Sequence, residues 1–194
     1  MEFAEAIRRR RMVRNYTGEP VDPTAVERIL SLARRAPSAG FSQGQTFVVV
    51  TEAPRRRALA QACGEVDYVA RGFEPWLSRA PVHVVLCVEP QRYRDRYAEA
   101  DKAGVAPPRD WRVPWWWVDG GQALMALLLG AVDEGLAAGL LAVDAVQARA
   151  LLAMPTAVEP LGLVTIGHAA PDRSSGSLGR GRRPWADQVR WQRW

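Results

Sequence analysis

The chain has 194 residues, of which 48% are hydrophobic, and carries 26 basic against 21 acidic side chains for a formal net charge of +5. That length and apolar content suffice to bury a sizeable core and exclude a disordered chain. Only one basic residue is a lysine, Lys102, so the surplus is arginine spread along the sequence; with no recognition motif beside it, the charge speaks to solubility and not to nucleic acid.

Residues 2–11 have helix-favouring composition, with Phe3, Ala6 and Ile7 on one stripe and four consecutive arginines, Arg8 to Arg11, at the C-terminal end. A polar turn, Asn15 to Pro20, follows Met12, Val13 and Arg14. Asp22 as N-cap and Pro23 at the first helical position open a second helix, whose apolar stripe is Val26, Ile29, Leu30 and Ala33. It stops before Pro37, where a stretch rich in turn formers and amides, residues 37–45, leads into a strand over 46–50. Helices are expected over 54–63 and 66–77, then a strand over 82–88 that is continuous and apolar enough to be central in a sheet. Residues 89–114 are charged, tyrosine-bearing and proline-rich, and read as a helix plus a long excursion of the kind that forms lids or binding loops. A long helix over 117–136, a short helix over 145–153 and a last strand over 161–166 complete the regular part. A glycine- and serine-rich basic loop, 169–184, and an amphipathic tail, 186–194, follow.

The apolar run 123–141 is long enough to raise the question of a membrane span. It contains Asp133 and Glu134 and follows Asp119 and Gln122, which favours a buried central helix or one packed on another subunit. Cys63 and Cys87 have neither the number nor the spacing of a metal site or a disulfide framework, so a reducing cytoplasm is the expected compartment. The layout is one mixed α/β domain spanning 1–194, with helices on a sheet of four or five strands. Neither the dinucleotide-binding glycine triplet nor a Walker loop is present, so a nucleotide-like cofactor would have to be held by arginines. Five arginines in seven positions, 8–14, exceed what a helix terminus needs, and a phosphate is one anion that would use them.

Four segments, in this order, resemble the nitroreductase family of FMN-dependent oxidoreductases. Arg10-Arg11-Met12-Val13-Arg14-Asn15-Tyr16 is similar to the family's Arg-Arg-Ser-x-Arg-x-Phe opening. Ala36-Pro37-Ser38-Ala39-Gly40 with Gln43 resembles its Ala-Pro-Ser-x-x-Asn-x-Gln-Pro-Trp loop. Val118-Asp119-Gly120-Gly121 resembles the entry to its central interface helix, and 161–167 followed by Arg180-Gly181-Arg182-Arg183-Pro184 its last strand and basic phosphate segment.

The resemblance implies an α+β fold with a mixed, mainly antiparallel sheet and a long central helix at a homodimer interface. It implies that Arg10, Arg11 and Arg182, helped by Arg180, hold the FMN phosphate, and that Arg14 lies near the flavin pyrimidine edge. Pro37, Ser38, Ala39, Gly40 and Gln43 would pack on the flavin from the partner subunit; Ala138, Gly139 and Leu140, expected at the end of the long helix, form another flavin-contacting stretch. The turn at Thr156 and Ala157 would present a backbone N–H to flavin N5. Met12 stands where the family has a phosphate-contacting serine. Phe41, Gly44 and Gln45 replace the usual Asn, Pro and Trp, which makes Phe41 a candidate substrate contact.

Trp115, Trp116 and Trp117 point about a hundred degrees apart on a helix. Burial at a dimer interface competes for them with a place in the substrate cleft, for which Trp116 is the candidate. His83 and His168 lack a partner for a catalytic dyad, and no local nucleophile signature is present, as expected where a cofactor carries the chemistry. The expected activity is transfer of hydride from NADH or NADPH, through the flavin, to a small organic acceptor such as a nitroaromatic or quinone. A flavin-dependent oxidase or dehydrogenase of a secondary metabolite and a non-catalytic flavin-binding protein are the alternatives.

Overall fold

The computed structural model describes residues 1–173 and 176–194. Its centre is a four-stranded antiparallel sheet in the order β1-β2-β4-β3, formed by β1 (Gln45–Val50), β2 (Val82–Val88), β3 (Ala137–Leu141) and β4 (Glu159–Gly167). β2 is buried along its whole length because both faces are covered. Val82, Val84 and Leu86 face a core shared with α2 (Pro23–Ala33) and α7 (Trp115–Asp133), whereas Val85 and Cys87 face Val50, Leu59 and Leu163. A strand enclosed in this way reads as an unbroken apolar run, which is why its bounds were legible in the sequence.

The second helix starts as its capping residues dictate: Asp22 accepts the Thr24 N–H at 2.9 Å, and Ile29 and Ala33 are fully buried on the stripe that meets α7. In α7 the small residue Gly130 lets the helix approach Ile29 of α2. The α+β class, the antiparallel pairing and the long helix are as the sequence implied.

Three elements differ from expectation. The apolar run 123–141 is a helix and a strand, not one helix: α7 stops at Asp133, the Leu136 N–H turns back to the Ala131 carbonyl at 2.8 Å, and Gly135 adopts φ +73°. Ala138, Gly139 and Leu140 therefore lie in β3, not at the end of the long helix. The helix expected over 66–77 is two, α4 (Glu65–Ala70) and α5 (Trp76–Arg79), because the first is closed at Gly72, with φ +82°, where the Phe73 N–H turns back to the Tyr68 carbonyl at 3.1 Å. The N-terminal helix α1 (Phe3–Arg9) ends two residues early, and Arg10 to Arg14 run extended. The remaining helices are α3 (Ala53–Ala62), α6 (Pro90–Tyr97), α8 (Ala145–Leu152) and α9 (Trp185–Gln188). Among the described residues no helix is long and apolar enough to cross a membrane.

Candidate functional site

After α1 the chain lies beside the β3 edge of the sheet. Met12 forms a parallel bridge with Ala138, and the Val13 N–H donates to the Ala138 carbonyl at 3.0 Å. The close approach is possible because Gly139 has no side chain: a Cβ there would lie 2.5 Å from the Val13 carbonyl oxygen. Two of the expected flavin-contacting stretches, 10–14 and 138–140, are thus joined by backbone contacts.

The start of the basic loop joins the same place. The Arg14 N–H donates to the Asp172 carboxylate at 2.6 Å, Asn15 Nδ2 to the Pro171 carbonyl at 2.8 Å, and Tyr16 bridges Ala169. Tyr16, fully buried, is held by Thr165 Oγ1 at 2.8 Å, and burial raises its phenol pKa well above the ordinary value.

This anchoring is made by main chain and by Asn15 and Tyr16, which leaves the guanidinium groups uncommitted. Among the described residues the side chains of Arg10, Arg11 and Arg14 make no hydrogen bond or ion pair. Arg9 and Arg11 rim a cleft of about 340 Å³ whose lining includes Val13, Ala137, Ala138 and Ala169. Arg9 is paired with Glu5 at 3.3 Å, whereas Arg11 is left without a partner among the described residues, and a free guanidinium beside a cleft of mixed polar and apolar lining suits an anionic group. Met12 turns the other way and packs on the core, so its place in the segment is taken through its backbone.

Arg180 and Arg182 are exposed and, among the described residues, make no hydrogen bond or ion pair; no bond joins them to the N-terminal arginines. Arg173 and Arg183 have structural partners instead, Arg71 O with the Phe73 ring for the first and Asp187 O for the second.

The loop 37–43 is rigidly built. The Ala39 N–H donates to Asp119 Oδ2 at 2.8 Å, Arg96 Nε to the Gly40 carbonyl at 2.8 Å, and the Gln43 N–H to Ser38 Oγ at 2.9 Å. Gly40, Phe41 and Gln43 all have left-handed φ, +62°, +59° and +50°. Phe41 is 75% exposed and stands out from the loop. Beside the loop an open groove of about 560 Å³ is lined by Ser38, Ala39, Tyr97, Trp111 and Trp115. Trp116, the sequence candidate, packs instead against Tyr93 and Trp111, with Arg94 over its ring; the helical phase puts Trp115 on the groove.

Thr156 and Ala157 occupy an exposed turn closed by the Val158 N–H and the Pro155 carbonyl, and neither of their amides has a protein acceptor among the described residues. A free amide there is compatible with a backbone donor toward a ligand.

Sequence reasoning did not single out Asp119 as a site residue. It is 3% exposed and holds both Ala39 and Tyr93, whose phenol pKa burial and the neighbouring carboxyl group push far up. Its one signal was an acidic residue in the first turns of an otherwise apolar helix. No group of three or more metal-ligating side chains occurs among the described residues.

The fold and this arginine-lined sheet edge define a class, and comparison with known proteins gives it a family. The family model for the nitroreductase family matches residues 7–168, and the chain belongs to that family. It is 27% identical over 191 residues, covering 90% of this chain and 68% of that protein, to an FMN reductase [NAD(P)H] of Bacillus subtilis. A nitroreductase family protein of Clostridium difficile superposes with a TM-score of 0.77 at 21% identity, each chain covered in full. A protein of Desulfovibrio desulfuricans, described as a nitroreductase and solved in complex with FMN, superposes with a TM-score of 0.72 at 26% identity over 98% of this chain and 96% of that one.

Proposed function

We propose that the chain is an FMN-dependent NAD(P)H oxidoreductase whose acceptor is a small organic molecule such as a nitroaromatic or quinone, and that its flavin sites are shared across a homodimer. The observation that carries the reading is the segment Arg10 to Arg14, locked along β3 with three uncommitted guanidinium groups. The relatives support it: one is named for FMN and NAD(P)H, another was solved with FMN bound.

FMN, when bound, supplies the hydride and electron chemistry, and the protein holds and orients it. Arg10 and Arg11 would take the phosphate, joined by Arg182 and Arg180 as the C-terminal segment closes on it. Arg14, close to the Asp172 anchor, would set positive charge near the flavin pyrimidine edge. The exposed amides of Thr156 and Ala157 would donate toward N5, and β3 at Ala138, Gly139 and Leu140 would hold the 10–14 segment beside the flavin. Ser38, Gly40 and Gln43, supplied by the partner subunit, would cover the ring, leaving Phe41 and the groove at Trp115 for the acceptor.

An absorbance spectrum of the purified protein, followed by anaerobic titration with NADH and NADPH separately, tests cofactor, reductant and class on one sample. The expected result is a flavin spectrum bleached by at least one nicotinamide. A colourless protein that takes up no added FMN would overturn the reading, and bound FMN that neither nicotinamide bleaches would make the chain a flavin-binding protein without this activity.

A further inference from the structure

Residues 89–114 read from sequence as a lid or binding loop. Their contacts describe something else. Tyr93, on α6, is fully buried and donates its hydroxyl to the same Asp119 oxygen that accepts the Ala39 N–H, at 2.8 Å in each case. One turn later, Arg96 donates Nε to the Gly40 carbonyl at 2.8 Å, and its two terminal nitrogens pair with the Asp101 carboxylate at 2.7 Å each. Tyr97 lies behind Gly40 so closely that a Cβ there would sit 2.7 Å from its ring. Trp111, from the far arm of the excursion, meets Tyr97 edge-on at 4.9 Å and Tyr93 at 6.3 Å, and its indole N–H is bound to the Ala106 carbonyl.

These contacts converge on the stretch whose backbone is most strained, Gly40 to Gln43. A non-glycine residue in the left-handed region persists only where surrounding structure over-determines it. Phe41 is three-quarters exposed and gains little from packing, so its conformation must be imposed through its neighbours. Ala39 and Gly40 are the neighbours that Asp119 and Arg96 grip. A lid, by contrast, is drawn from segments with few buried contacts; within the excursion that describes the exposed stretch 98–106, whereas Tyr93, Arg96, Tyr97 and Trp111 are packed where they face the turn.

We propose that Asp119, Tyr93 and Arg96 form a polar clamp that fixes the left-handed Gly40–Phe41 turn, so that the 89–114 excursion acts as a buttress for the cofactor loop and not as a lid. Asp119 and Arg96 are positioning residues: they act through the loop. The mechanical part of this inference stands on the contacts above, while its effect on FMN rests on the function proposed above.

Amide hydrogen exchange on the full-length protein without FMN tests the mechanical part. The Ala39, Phe41, Ser42 and Gln43 amides, each of which has an acceptor, should be protected in the wild type, and Asp119→Ala should speed exchange at Ala39 at least tenfold. Asp119→Asn should stay within about threefold of wild type, because the oxygen that accepts both bonds can be kept. Arg96→Met should speed exchange at Phe41 and Ser42. Should Asp119→Ala fail to fold, Trp111→Ala decides the matter. Trp111 has ring contacts with Tyr93, Tyr97 and Trp116 and, among the described residues, no hydrogen bond to the turn, yet a buttress requires exchange at Ala39, Phe41, Ser42 and Gln43 to rise severalfold, whereas a lid confines the change to the excursion. Unprotected Ala39, Phe41, Ser42 and Gln43 amides in the wild type, or exchange unchanged by both Asp119→Ala and Trp111→Ala, would overturn the clamp.

FMN titration by fluorescence quenching then separates the two readings. Asp119→Ala should weaken FMN about tenfold and Asp119→Asn should not. Wild-type protein that binds no FMN sinks the proposed function and leaves the exchange result standing; FMN affinity unmoved by a loosened loop removes the positioning role.

Discussion

The two arginine groups assigned to the FMN phosphate are held in opposite ways. Arg10 to Arg14 are part of the fold: they run beside β3, the Val13 N–H is bonded into it, and Asp172, Asn15 and Tyr16 anchor the segment's end. Arg180 and Arg182 lie on an exposed segment and, among the described residues, have no bond to that edge. The difference separates preorganisation from recruitment. The backbone of the first group stands in position before any ligand arrives, which leaves only its side chains to be ordered. The second must be brought in by the ligand or by a second subunit, and part of its interaction energy is then lost to ordering the chain.

The largest effect should come from coupling the preorganised group to stability. In Gly139→Ala the new methyl would collide with the Val13 carbonyl, which is backbone and cannot swing aside. The 10–14 segment must move off β3, at a cost of about 3 kcal/mol. Thermal or denaturant unfolding would measure that loss, and FMN affinity should fall with it. Unchanged stability would mean that the segment is not held as described.

Acid should attack the same rigid part of the molecule. His83, on β2, is buried, its Nε2 lies 2.7 Å from the Leu77 carbonyl, and its Nδ1 has no partner among the described residues. Burial pushes its pKa from 6.5 down to about 4. The folded protein therefore keeps this ring neutral where the unfolded chain would protonate it. The stability it confers is complete above pH 6.5 and is lost as pH falls toward 4, by roughly 2 to 3 kcal/mol. Asp22, Asp101 and Glu134 are held below their ordinary values by hydrogen bonds to Thr24, Arg96 and Arg28, so their contributions fade lower on the scale. A melting-temperature profile from pH 7 to 4 should slope down in wild type, and His83→Gln should flatten it.

The contrast between the halves also explains what the sequence could convey. β2 and α2 were legible because local pattern decides them: an unbroken apolar run in one, an N-cap, a proline and a stripe in the other. β3 was not, because Ala137 to Leu141 continue the apolar run of α7, and the break at Gly135 has no polar residue on its far side. The arginine cluster announced an anion site by density alone. Asp119 could not, since its partner Ala39 lies 80 residues away and an isolated acid in a helix is silent about tertiary bonds. Which of Trp115, Trp116 and Trp117 lines the groove depends on the rotation of α7 about its axis, which only its packing on Tyr93 decides.

The smallest effects bear most directly on the comparison. Arg11→Gln should weaken FMN about 10- to 100-fold, because its backbone is already held beside β3 and only the side chain is left to order when its charge-assisted bonds form. Arg182→Gln should weaken it by no more than about tenfold, since the wild-type residue gives up part of its interaction to fixing an exposed segment. Neither should move the melting temperature of the protein without FMN, because neither side chain has a bond to lose among the described residues. The two variants differ further with FMN present. Loss of Arg182 should loosen the 176–184 segment, measured as faster amide exchange or easier proteolysis there, whereas loss of Arg11 should leave the 10–14 backbone protected by β3. Equal affinity losses with equal loosening of both segments would mean that the arginines are recruited alike, and that the pairing of Val13 with Ala138 does nothing to hold the first group ready.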